Sequence, residues 1–178
     1  MSPIPIRLPA MEVHVDADRR LAFQVITAFG ASSPGDGPSS RVLSQETGRI
    51  LVEFHVPATG LFGRRKVYRT VEWVTPHEPE RVEFETVKGP LSMMRDRFIL
   101  EAEGGCTHLR YESEFGVWGW VAGWLVGMLY VRPKLKRLMQ GHLEEMKQAI
   151  EARAARSRAF PQQPCSPEGA TSHADPGS

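Results

Sequence analysis

The chain of 178 residues suits one domain, long enough to bury roughly 70% of its unfolded surface, and carries 41% hydrophobic and 24% charged residues with a formal charge of +1. That balance is the composition of a globular protein and argues against a disordered or collagenous chain. Lys and Arg are dispersed, apart from groups at Arg64, Arg65, Lys66 and at Arg132, Lys134, Lys136, Arg137, which argues against a nucleic-acid reader.

Residues 1–8 form a Pro-punctuated N-terminal extension. "MEVHVDA" then alternates Met11, Val13 and Val15 against Glu12, His14 and Asp16, the period of a half-buried strand. Asp16 or Asp18 can cap a short helix over "ADRRLAFQVITAF", with Leu21, Phe23, Val25 and Ile26 on its apolar side. "GASSPGDGPSS" reads as loop. Six strand-like runs follow, "RVLSQE", "RILVEFHV", "KVYRTVEWV", "RVEFETV", "SMMRDRFILEAE" and "THLRYESEF", each closed by turn residues, and they predict an antiparallel meander.

After Pro133, "KLKRLMQGHLEEMKQAIEARAARS" places Leu135, Leu138, Met139, His142, Leu143, Met146, Ala149 and Ile150 at helical spacings. Pro133 fits the first turn of such a helix. Residues 158–178 turn polar and Pro-rich, the composition of a disordered tail. The order strand, helix, six strands, long helix predicts an α+β domain in which the helix covers the apolar face of a curved sheet.

Cys106 in "EGGCT" and Cys165 in the polar tail predict no structural disulfide and show no metal-ligand spacing. The N-terminus lacks the pattern of a secretory signal, so a cytoplasmic protein is expected. There is no HExxH, Walker loop, GxSxG or GxGxxG, and neither cofactor nor metal is expected.

Over Pro9 to Ser157 the chain resembles the START and polyketide-cyclase (SRPBCC) superfamily. "MEVHVDADRRLAFQVIT" resembles its opening strand and helix, "RFILEAEGGCTHLRYESEF" its late hairpin, and "LKRLMQGHLEEMKQAIEAR" its closing helix. In place of the Pro and Val-Trp often found early in that superfamily stand Ala17-Asp18 and Ala22-Phe23. The resemblance implies a helix-grip fold over residues 9–157, a sheet of about seven strands wrapped around the C-terminal helix, and a hollow between them for a hydrophobic molecule. It does not choose between carriers and aromatase or cyclase enzymes.

Strand parity assigns residues to that hollow. The expected lining is Phe54, Val56, Arg69, Val71, Trp73, Phe84, Asp96, Phe98, Tyr111 and Ser113 from the sheet, with Trp120, Trp124, Met128, Leu138 and His142 from the segment and helix that follow. Arg69 and Asp96 read either as a structural ion pair or as polar handles for a ligand. His142 reads either as a satisfied core residue or as a donor or general base. An aromatase or cyclase would set His142 beside the substrate, with Arg69 or Tyr111 holding an enolate oxygen.

"FGVWGWVAGWLVGMLYVRPKLKRL", from Phe115 to Leu138, is too short for a span of about 20 apolar residues. The expectation is a segment that closes the pocket, with peripheral membrane contact over Trp118–Arg137, where Trp adjoins Lys and Arg. The sequence thus points to binding, carriage or sequestration of a lipid, quinone or polyketide-like compound. The alternatives are an aromatase or cyclase, and a protein-interaction module using the Trp-rich segment.

Overall fold

Asp18 caps the first helix as its residue type predicts, its side chain accepting a hydrogen bond from the Arg20 amide. In this computed structural model, which describes residues 3–30, 39–59, 65–157 and 159–160, the elements are β1 (Ile6–Arg7), β2 (Met11–Val15), α1 (Arg19–Ile26), β3 (Ser39–Glu46), β4 (Arg49–Thr59), β5 (Arg65–His77), β6 (Arg81–Lys88), β7 (Met93–Glu103), β8 (Cys106–Gly116), α2 (Trp120–Val126), a π-helical turn (Gly127–Val131) and α3 (Arg132–Ala154). The strands form one curved antiparallel sheet in the order β1-β8-β7-β6-β5-β4-β3, with β2 also paired to β8. The fold is the expected α+β arrangement with its long C-terminal helix. The sheet gains β1 from within the N-terminal extension, where Ile6 opposes Phe115 and Leu8 is buried.

Two-residue turns set the β3–β4 and β7–β8 hairpins. Gly104 and Gly105 both take positive φ, which the β7–β8 turn requires and a side chain would resist. Leu21, Ala22, Phe23 and Ile26 of α1 and Leu143, Ile150 and Ala154 of α3 close on Val15, Val52, Val74, Val82, Leu100 and Leu109. Each fully buried aliphatic side chain contributes about 1.5–3 kcal/mol. The body of α3 packs against β2 and α1, toward the β8 end of the sheet.

The Trp-rich segment is not a separate closure between strand and helix. The chain is helical without interruption from Trp120 to Ala154. Pro133 lacks an amide hydrogen and its ring would crowd the carbonyl of residue 129 in a regular α-helix. The π turn widens the helix just before it, with the Arg132 amide reaching back to the Gly127 carbonyl. A Cβ on Gly127 would stand 2.3 Å from Ile6 Cδ1, so the glycine lets this helix press onto β1. Among the described residues no helix is long and apolar enough to cross a membrane.

Cys106 is disulfide-bonded, against the expectation from its sequence context. Cys165 and nearly all of the expected tail lie outside the described residues, but Phe160 packs on the core.

Candidate functional site

The pairing of β4 with β5 decides which side chains face α3. Val52, fully buried, stands opposite Glu72, Ile50 opposite Val74 and Phe54 opposite Thr70. Even-numbered residues of β5 therefore share the inner face. Arg69, Val71 and Trp73, expected inside, lie on the outer face; this corrects their assignment to the ligand lining. "KVYRTVEWV" carries apolar residues on both parities; of the odd set Val67 is 58% accessible and Val71 and Trp73 are half-buried.

On that outer face Arg69 pairs with Glu53, as do Arg41 at 3.5 Å and His55 at 3.7 Å. Glu53 is only 3% exposed, so its charge is buried under three basic groups. An open depression of about 420 Å³ surrounds them. The expected Arg69–Asp96 pair is absent, because the two residues occupy opposite faces. Trp73 lies 4.0 Å beneath the Arg49 guanidinium, at the margin of a shallow groove of about 800 Å³ that also takes in Arg95 and Arg97.

The inner face carries a row of aromatic rings. Phe29, which follows α1, meets Phe54 edge-on at 5.9 Å; Phe54 meets Phe84 at 6.2 Å, Phe84 meets Phe98 at 5.7 Å, and Phe98 meets Tyr111 at 5.0 Å. Such contacts each add about 0.5–1.5 kcal/mol beyond area burial and hold the rings in fixed orientations. Val56 shares this face farther along β4, opposite Tyr68.

At the Tyr111 end the row meets polar groups. Tyr111 Oη donates to Asp96 Oδ1 at 2.8 Å, and Thr86 Oγ1 reaches Glu72 Oε1 at 3.5 Å. Burial pushes the Asp96 carboxyl up to about 6, although the neighbouring Ser113 and Tyr111 hydroxyls pull it back. Burial, aided by repulsion from Asp96, pushes Glu72 up to about 7, against the Thr70 and Thr86 hydroxyls. Burial and the nearby carboxylates raise the Tyr111 phenol, which stays a proton donor. Ser113 stands opposite Asp96 but is not aligned into a hydrogen bond with it.

Glu72 is the residue that the sequence reading missed. Its signal was a lone carboxylate between Thr70 and Val74, visible only once the parity of β5 is known.

The helical residues divide. Trp124 and Met128 pack on the core, whereas Trp120 is 56% exposed and Leu138 is exposed on α3. His142 is exposed on α3; neighbouring protein lowers its pKa by desolvation, opposed by Glu145. Among the described residues no hydrogen bond joins it to Asp96 or Tyr111. The structure thus gathers Phe54, Phe84, Asp96, Phe98, Tyr111 and Ser113 on one face, adds Glu72, and removes Arg69, Val71 and Trp73. His14, Asp16 and Cys106 place ligand-type atoms within 4.8 Å of one another, but the Cys106 sulfur is committed to its disulfide, which leaves no thiolate for a metal.

The sequence model of the family described as polyketide cyclase / dehydrase and lipid transport matches residues 10–151. Among solved structures, TTHA0849 from Thermus thermophilus is 18% identical, with a TM-score of 0.61 over 85% of this chain and 100% of its own. The Zhui aromatase/cyclase from Streptomyces sp. R1128 is 15% identical, with a TM-score of 0.65 over 86% and 95%. A START superfamily protein from Mycobacterium smegmatis is 20% identical, with a TM-score of 0.58 over 85% and 99%. No curated protein matches the chain.

Proposed function

The chain belongs to the polyketide cyclase / dehydrase and lipid transport family, and from that premise we propose that it binds a hydrophobic small molecule on the concave face of its sheet and carries or sequesters it. A lipid, quinone or polyketide-like compound would suit. The observation that carries this reading is the aromatic row from Phe54 to Tyr111, which ends in hydroxyls and carboxyls and is only partly covered at Phe54 and Phe84. Native mass spectrometry of the protein purified from its own cells tests it. A stoichiometric apolar compound is the expected result; an empty protein that also refuses lipids, quinones and fluorescent apolar probes would overturn it.

One observation favours a second reading, an aromatase or cyclase acting on the bound compound. Glu72 and Asp96 titrate near neutrality, the range of a general base, beside a phenol that can donate to a developing oxyanion. Arg69 has no part in it. Turnover of a polyketide-like β-ketone that is lost in Glu72→Gln and Asp96→Asn, with binding retained, would establish the enzyme.

The helix beyond β8 supports peripheral membrane contact. Trp118, Val121, Leu125, Val126 and Leu129 are exposed, Leu129 at 78%, and the basic run 132–137 follows. Flotation with anionic vesicles should carry the protein upward. A protein that stays at the bottom would turn this surface toward a protein partner.

A further inference from the structure

The inner face brings two carboxyls, Glu72 and Asp96, among hydroxyl donors but with no ion-pair partner among the described residues. A carboxylate offers about four lone-pair sites; Asp96 receives one well-formed bond from Tyr111 with the Ser113 hydroxyl close by, and Glu72 has only the Thr70 and Thr86 hydroxyls, Thr86 at 3.5 Å. Glu72 stands opposite Thr86, and Asp96 opposite Phe84, so both overlook the same stretch of β6. Ser113, directly across from Asp96, is 6% exposed and its Oγ has no hydrogen-bond partner. A buried hydroxyl without an aligned partner beside Asp96, with the Glu72 carboxyl on the same face two strands from Asp96, is a place where a donor can be received.

Among the described residues no ion pair engages Glu72 or Asp96, although Lys88 ends β6 two residues beyond Thr86. Arg69 and Arg95 meet glutamates on the outer face. Lys66 shares a face of β5 with Glu72 but lies against Tyr68, about 20 Å along the strand. On α3, His142 stands exposed to solvent.

We propose that the bound molecule is an amphiphile whose polar end is a protonated amine, seated between Glu72 and Asp96 with its apolar body along the rings of Phe54, Phe84 and Phe98. The inference rests on the binding reading above and narrows it to a chemical class. An ammonium supplies up to three donors, enough for both carboxyls and the Ser113 hydroxyl. The aromatic faces add cation–π attraction. A fatty-acid carboxylate would instead meet two carboxyls with no cation to offset them. Because burial raises both carboxyls, and repulsion from Asp96 raises Glu72 further, both are partly protonated near pH 6.5, and an arriving cation drives protons off them.

The test is isothermal titration calorimetry of the full chain with dodecylamine, dodecanol and dodecanoic acid at pH 6.5, each below its aggregation concentration. Measurements in two buffers of different ionisation enthalpy count the protons released. Dodecylamine should bind at least tenfold more tightly than dodecanol and release protons, and dodecanoic acid should bind least. Glu72→Gln with Asp96→Asn should erase the preference for the amine over the alcohol and abolish the proton release. Equal binding of all three, or tightest binding of the acid, overturns the amine inference and leaves the binding reading standing. Binding of none overturns both. Should the double variant fail to fold, the charge preference and proton release of the unaltered protein still decide.

Discussion

Glu53 and Glu72 are carboxyls enclosed by opposite faces of one β4–β5 ladder, and their surroundings could hardly differ more. Glu53 sits beneath Arg41, Arg69 and His55. Glu72 has two threonine hydroxyls, another carboxyl nearby, and a pKa pushed to about 7. The first charge is cancelled where it stands, as a structural ion cluster should be. The second is left without a cation, the imbalance that the proposed amine would relieve.

The largest expected effect tests the compensated side. Arg69→Ala leaves Glu53 buried with two more distant basic groups. Breaking a buried pair costs about 3–5 kcal/mol, and the exposure of Arg69 reduces this to about 2–3 kcal/mol. Thermal unfolding should shift down by several degrees, with binding of an apolar probe unchanged. A loss of probe binding without loss of stability would return Arg69 to the site and undo the comparison.

On the uncompensated side the sign reverses. A carboxyl whose folded pKa lies above its ordinary value favours the fold fully while it is protonated in both states, below about pH 4, and loses that contribution as pH rises through its folded pKa. For Asp96 that pKa is about 6 and for Glu72 about 7. The unliganded protein should therefore lose stability between about pH 4 and pH 8. Glu72→Gln with Asp96→Asn should flatten this part of the profile and stabilise the protein by a few kcal/mol at pH 8. A double variant that melts lower than the parent at pH 8 would mean that the two carboxylates are already satisfied.

Tyr111→Phe should have a smaller effect. It removes the one well-formed hydrogen bond to Asp96, so the Asp96 pKa should rise further, at a cost of about 1 kcal/mol. The cost should be greater at pH 8, where Asp96 is ionised, than at pH 5. A cost independent of pH would mean that the phenol contributes packing against Phe98 rather than charge stabilisation.

The element order was legible because turns and caps are local. Asp18, Gly48 and the Gly104–Gly105 pair mark their boundaries within a few residues. Faces were legible where apolar and charged residues alternate cleanly, as Phe98 and Leu100 do against Arg97, or Leu109 and Tyr111 against Arg110. In β5 they do not alternate, and its register is fixed by β4, a partner that no local pattern identifies. One misread strand placed Arg69 inside and hid Glu72. The helical continuity from Trp120 to Ala154 was hidden for a related reason. Glycines and Pro133 look like breaks, but Gly127 serves close packing on Ile6 and the π turn absorbs the proline.

The smallest effect gives the finest test of why Glu72 stands out. Its contact with Thr86 Oγ1, at 3.5 Å, is at the limit of a hydrogen bond, so Thr86→Val should remove little. The pKa of Glu72, followed by carboxyl-carbon NMR, should rise by only a few tenths, and stability at pH 8 should change by less than about 0.5 kcal/mol. At pH 5, where Glu72 is protonated, the added methyl beside Phe84 should make the variant neutral or slightly more stable. A rise of a full unit would show that the hydroxyls, not the lack of a cation, set the character of this face. A bound amine would then be expected to displace the threonine contact before it engages the carboxyl.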